Sequence, residues 1–192
     1  MYCFITDGDM EKDFLEKICS RKHRIRKVPN SKNLSAERMT EFIETHVREL
    51  IDHQLNFVIW VDHEGKDVSP IEYENAIRER LGPIINDATR LYIGIADRMK
   101  ENWMLADPDA IMQHYGSAFE YETTYEGCGG KTALKRHALS CGDSYIERVD
   151  GVDILTKCVP ETMARNSPSA ERFFSQLGDF DCWWLQRRPE RY

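Results

Sequence analysis

The sequence predicts an α/β fold: a mostly parallel sheet with helices on both faces, followed by a helical C-terminal extension. Three observations predict it. Phe57-Val58-Ile59-Trp60-Val61 is an unbroken apolar run ending in Asp62-His63-Glu64-Gly65, which fits a strand buried on both faces and released by a turn. Two more apolar runs, Tyr2–Thr6 and Arg90–Ala96, lie before and after it. Helical periodicity fills the intervals, and strand–helix alternation argues for parallel strands joined by crossover helices. Residues 1–115 are the expected α/β core; residues 116–192 are expected as a loop plus helical extension packed on it.

The first strand, Tyr2–Thr6, ends at Asp7-Gly8, with Asp9 as expected N-cap of a helix from Met10 to Ser20. Ser35 caps a second helix to about Gln54, whose Met39, Phe42, Ile43, Val47, Leu50 and Ile51 form an apolar stripe. After the central strand, Pro70 opens a helix that Gly82-Pro83 should end. Asp107-Pro108 reads as N-cap and first helical proline of a helix to about Tyr115. Trp103 is either core or a lid over the strand ends. Tyr115 to Gly130 reads as a loop, Lys131 to Ser140 as a basic helix, and Tyr145 to Met163 as containing a further helical stretch. Ser167-Pro168 starts a helix carrying Phe173, Phe174 and Leu177, and the tail joins Trp183-Trp184 to Arg187, Arg188 and Arg191.

Composition narrows the function. The chain has 192 residues, a net charge of −7, a pI of about 5.4 and a mean hydropathy of −0.58. Gripping nucleic acid by bulk charge is excluded; such a partner must be held by a local basic patch, by metal ions or by another subunit. The N-terminus lacks a signal-peptide pattern, and no run approaches the ~18 apolar residues of a membrane span, so the expectation is a cytoplasmic chain without a membrane partner. Six cysteines occur without a CxxC pair. His137, Cys141 and Cys128 leave a zinc site one ligand short.

The chemistry concentrates where strands end. Parallel neighbours would bring Asp7, Asp62 and Glu64 to one edge of the sheet, the place where open α/β sheets bind ligands. Acids two apart on an extended segment point to one side, so Asp62 and Glu64 can reach one cation. Asp97 and Glu101 follow the third apolar strand to the same edge. Arg21-Lys22-His23-Arg24-Ile25-Arg26-Lys27 is the densest basic segment, either a solvated face or a phosphate-contacting patch. Gly129-Gly130-Lys131-Thr132 lacks the first glycine of a phosphate loop and follows no N-terminal strand, which argues against nucleotide binding there.

Asp7-Gly8 and Asp62-His63-Glu64-Gly65, in this order, resemble the acidic strand ends of Toprim-like proteins, the fold shared by topoisomerases, primases and the overcoming-lysogenization-defect (OLD) nucleases. Glu101-Asn102-Trp103, Leu105-Ala106-Asp107-Pro108 and Ser167-Pro168 with Phe173-Phe174 extend the resemblance, in order, to a small bacterial Toprim-like family long labelled a domain of unknown function. Two positions depart from its pattern: Asp7 stands where that family has glutamate, and Glu64 where it has aspartate.

The resemblance implies a Toprim-like (Rossmann-like) sheet and a nuclease cleaving phosphodiester bonds with Mg²⁺ or Mn²⁺. Asp62 and Glu64 would be metal ligands, Asp7 a ligand or general base, and Glu101 with Asp97 ligands of a second metal. Arg21, Lys22, Arg24, Arg26, Lys27 and Lys131 would contact nucleic acid. It further implies an effector of antiphage defence working with an ABC- or AAA-type ATPase partner. The alternative is a non-catalytic subunit that docks on such an ATPase through its tryptophan- and arginine-rich tail.

Overall fold

The computed structural model describes residues 1–19, 23–29, 32, 34–120 and 126–177. The sequence expectations for Arg21, Lys22 and the tail from residue 178 onward lie outside the described residues. Four strands, β1 (Tyr2–Thr6), β2 (Arg24–Lys27), β3 (Asn56–Asp62) and β4 (Leu91–Ala96), form one sheet in the order β2-β1-β3-β4. All three pairings are parallel. The central pair, β1 and β3, aligns Phe4 with Val58 and Thr6 with Trp60.

Strand alternation decides what each face buries. Cys3, Ile5, Phe57, Ile59, Val61, Ile93 and Ile95 pack against helices α2 (Ala36–Leu50) and α3 (Pro70–Ile85). Phe4, Val58 and Trp60 face the other way, into a second cluster with α1 (Asp9–Ile18) and the helices after β4. These are α4 (Glu101–Leu105), α5 (Pro108–Tyr115), α6 (Gly130–Ser140), α7 (Val152–Lys157), α8 (Pro160–Asn166) and α9 (Pro168–Leu177). The helical extension therefore shares one side of the core with α1, α4 and α5.

Caps follow the expected chemistry at three helices. Ser35 accepts from the Arg38 amide, Ser69 and Glu72 form a reciprocal capping box before Pro70, and Asp107 accepts from the Ala110 amide. Three expectations change. Helix α1 begins at Asp9 with Gly8 as N-cap, and Asp9 instead pairs with Lys27 at 2.7 Å. Helix α3 runs through Gly82-Pro83 to Ile85, because Ile85 continues the buried row of Ile77 and Leu81; Asn86, at φ 54°, ends it. The basic segment contains a strand, β2, whose parallel pairing with β1 outweighs the low strand preference of its charged residues.

Trp103 is core: its ring stacks on Trp60 at a centroid distance of 6.1 Å and on Phe173 at 5.5 Å, and its Nε1 donates to Ser169 Oγ at 2.7 Å. The Phe173 ring lies so close over β4 that a Cβ on Gly94 would sit 2.6 Å from it. Gln176, one turn on, uses its side-chain amide as a substitute strand. Its Oε1 accepts from Ile93 N at 3.0 Å and its Nε2 donates to Ile93 O at 2.9 Å, which covers the edge of β4. Gly94→Ala should accordingly lower stability by about 1–3 kcal/mol, the usual cost of overpacking a filled core, measured by urea unfolding. Retained stability would mean that α9 is free to shift on the sheet.

Candidate active site

The sheet order makes β1 and β3 neighbours, so Asp7 and Asp62 emerge side by side at the carboxyl edge. Asp7 Oδ2 accepts from the Asp62 amide at 3.0 Å. The turn after β4 then brings in Lys100. Its amide donates to Asp62 Oδ1 at 2.9 Å, and its side chain folds inward, fully buried. Lys100 Nζ lies 2.6 Å from Asp7 Oδ1, 3.0 Å from Asp62 Oδ1 and 3.3 Å from Glu11 Oε1. Its cation also sits 5.7 Å from the centroid of the Trp60 ring.

Glu11 joins this centre from the first turn of α1. Its carboxylate lies against Gly8, where a Cβ would be 2.0 Å from Glu11 Oε2. Gly8 has φ −128°, so it is needed for space rather than for an unusual backbone conformation. Above the centre lies a cavity of about 120 Å³ lined by Asp7, Gly8, Glu11, Asp62, Glu64, Met99, Glu101, Lys131 and Glu147. Glu101 is buried at the start of α4, and Gly130 packs on it so tightly that a Cβ there would be 2.9 Å from the Glu101 carbonyl carbon. Lys131, the next residue, reaches Glu101 at 3.6 Å and pairs with Glu147, which stands in a single π turn, Glu147–Gly151. The buried oxygen Glu11 Oε2 lacks a hydrogen-bond donor, whereas Glu101 Oε1 faces the Lys131 ammonium at 3.6 Å.

The electrostatics follow from one ammonium set among several acids. Burial opposes charge on Lys100, yet Asp62, Asp7 and Glu11 together hold its ammonium well above the ordinary lysine range. The acids outnumber that cation. Burial, reinforced by the neighbouring carboxylates, raises the pKa of Glu11 and pushes that of Asp62 well up, against the pull of Lys100. Burial also raises Glu101, against Lys131.

The expected residues divide. Asp7, Asp62, Glu64, Glu101 and Lys131 come together at the cavity. Glu64 arrives differently from expectation: the chain leaves β3 after Asp62, and Glu64 takes a left-handed conformation at φ 52° while its amide donates to Arg98 O at 2.8 Å. The two acids therefore do not project from one extended segment. Asp97 stays outside the cavity walls; it lies beside Gly127, and its amide donates to Ser169 Oγ at 3.3 Å. The basic strand splits by alternation. Arg24 and Arg26 pair with Cys3 and Ile5, whose side chains face α2, and only Lys27 comes out beside Asp7. There it lines a second cavity of about 410 Å³ with Asp7, Gly8, Asp9, Glu147 and Arg148. Arg148 is anchored to Asp13 at 2.7 Å.

Lys100, Glu11, Glu147 and Arg148 were not singled out from the sequence. Glu11 had a local signal, an acid in the first turn of the helix that follows Asp7-Gly8. Among the described residues no three His, Cys, Asp or Glu side chains form a ready-made metal cage. A magnesium ion does not need one: it is commonly held by one or two carboxylates, its own waters and substrate phosphates. The unpaired oxygen of Glu11, with the Asp62 oxygen that Lys100 does not use, fits that requirement.

A family model described as a domain of unknown function (DUF4276) matches residues 6–178. No curated protein matches the chain. No solved structure matches it either.

Two measurements check the electrostatics. Protonated Glu11 and Asp62 are favoured by folding, so their contribution is complete below the ordinary carboxyl range of about pH 4 and is lost as pH rises through their raised folded values. The thermal midpoint should fall over that interval, and Asp62→Asn, neutral throughout, should flatten the fall. Lys100→Met should cost about 3–5 kcal/mol in urea unfolding, because it leaves buried carboxylates without their cation. A loss below about 1 kcal/mol, the value of a surface pair, would refute the buried centre.

Proposed function

The chain belongs to the DUF4276 family, and from the acidic cavity at the carboxyl edge of its sheet we propose that it is a metal-dependent nuclease, cleaving phosphodiester bonds of nucleic acid with Mg²⁺ or Mn²⁺. The observation that carries this reading is the buried carboxylate oxygen Glu11 Oε2, left without a hydrogen donor on the wall of a small acidic cavity. Buried polar oxygens are rarely left unpaired, and a hard cation is a partner that suits carboxylate oxygens. A cavity of about 120 Å³ has room for a phosphate group.

Asp62 and Glu11 would hold the ion, with Glu101 on the same cavity wall. When bound it supplies positive charge against the non-bridging and leaving oxygens of the phosphate. The chain's own residues do the rest. Asp7 has both oxygens engaged, one by Lys100 and one by the Asp62 amide, so it positions rather than acting as base. Glu64, partly exposed on the cavity wall, is placed to orient the attacking water. Lys131 stands at the cavity wall, and Lys27 with Arg148 borders the adjoining larger cavity, which suits the phosphates of neighbouring nucleotides.

This gives a route for an acidic protein to handle a polyanion. Metal charge meets the reacting phosphate, and a few cations meet the flanking backbone. In this reading the nuclease works in antiphage defence with an ABC- or AAA-type ATPase. Among the described residues no helix is long and apolar enough to cross a membrane.

The test is cleavage of single- and double-stranded DNA and of RNA with Mg²⁺ or Mn²⁺. Asp62→Ala should lower the rate by about 100-fold or more, since a metal's charge stabilisation amounts to several kcal/mol and each 1.36 kcal/mol is tenfold. Equal rates in the variant and the wild type would remove the assignment. Absence of metal binding, with co-purification of an ATPase that depends on residues 178–192, would favour the docking-subunit reading instead.

A further inference from the structure

Two-metal nucleases place their cations about 3.5–4 Å apart, one for the attacking and one for the leaving oxygen. In this chain the inner half of the carboxylate cluster already holds a cation. Lys100 Nζ stands within 3.3 Å of oxygens from Asp7, Asp62 and Glu11, and no part of its side chain is exposed. We propose that the Lys100 ammonium is a built-in replacement for the second metal, so that the cleft takes a single divalent cation, at Glu11 and the outer oxygen of Asp62. The proposal rests on the metal-dependent reading above and specifies how many ions that site accepts.

Three features support it. The oxygens that an inner metal would need are already used: Asp7 Oδ1 and Asp62 Oδ1 by the ammonium, and Asp7 Oδ2 by the Asp62 amide. Lys100 is also held at both ends. Its own amide donates to Asp62 Oδ1, and its ammonium lies over the Trp60 ring inside the packed cluster, so it cannot swing to solvent and vacate the position. Finally, Asp97, the acid expected to help hold a second ion, lies outside the cavity walls beside Gly127.

An ammonium and a metal are not equivalent. The ammonium offers three N–H donors at fixed charge and exchanges no waters. It holds Asp7, Asp62 and Glu11 in place before any divalent ion arrives, which leaves the incoming ion less ordering to do.

The experiment counts ions on the full chain by Mn²⁺ titration calorimetry, with electron paramagnetic resonance on the same samples. Wild type should bind one Mn²⁺ per chain with the signal of an isolated ion. Glu11→Gln should weaken that site by about tenfold or more. Lys100→Met should bind two Mn²⁺ with a coupled signal, and Mn²⁺ should restore its thermal midpoint towards the wild-type value. Two coupled ions in the wild type would overturn the role of Lys100 and leave the metal-dependent nuclease reading standing. No Mn²⁺ bound to the wild type would overturn both. If Lys100→Met does not fold even with Mn²⁺, the wild-type count and signal decide alone. A folded Lys100→Met that still binds one ion, or Glu11→Gln with unchanged affinity, would also overturn the proposal.

Discussion

One buried ammonium organises the functional end of this molecule. Lys100 Nζ is the point where β1, through Asp7, β3, through Asp62, and α1, through Glu11, are tied to the turn that follows β4. Each of these acids would be costly to bury alone, because removing a carboxylate from water is not repaid without a partner of opposite charge. Set around one cation they become mutually compatible. The geometry also fixes the order of the strands at that edge: Asp7 must neighbour Asp62, and the parallel register of Thr6 with Trp60 delivers that contact. A slip of one residue would turn these side chains to the opposite face and abolish it.

The helical extension completes what the sheet begins. Lys131 and Glu147 belong to segments far along the chain, yet they form walls of the same cavity as Asp7 and Asp62. Their placement rests on close approaches that only glycine permits, Gly130 against Asn102 and Gly151 against Met10. Asn102 adds hydrogen bonds from its amide to the carbonyls of Asp97 and Cys128, so the chain entering α6 is stitched to the turn after β4. The Trp103–Ser169 bond and the Phe173 stack fix α9 to the same helix, α4. Core packing and site assembly are thus one set of contacts here.

How much of this the sequence showed depends on the range of the interaction. The central strands were legible because burial on both faces leaves an unbroken apolar run, and the helices on one face because their stripes recur at three and four residues. β2 was not legible, since its stability comes from pairing with β1 and its charged residues hide the strand pattern. The acids at the strand ends could be foreseen from the α/β architecture, whereas Asp97 could not be placed, because a residue just past a strand can turn either way. Lys100 gave no local signal at all. A lysine in a turn is ordinarily solvated, and what buries this one is the convergence of acids separated from it by up to 93 positions in the chain.

The central lysine also bears on the lengths of two of the acids, Asp7 and Glu64. Asp7 spans from the end of β1 to both Lys100 Nζ and the Asp62 amide, using one oxygen for each. A glutamate there, one methylene longer, would carry its carboxylate past the Asp62 amide and into the space the ammonium fills. At position 64 the geometry differs. The backbone has already turned away from the strand direction, at φ 52°, with its amide tied to Arg98 O. From there the glutamate side chain lines the cavity. The short acid and the long acid then belong to one arrangement, in which a cation from the protein itself holds the centre.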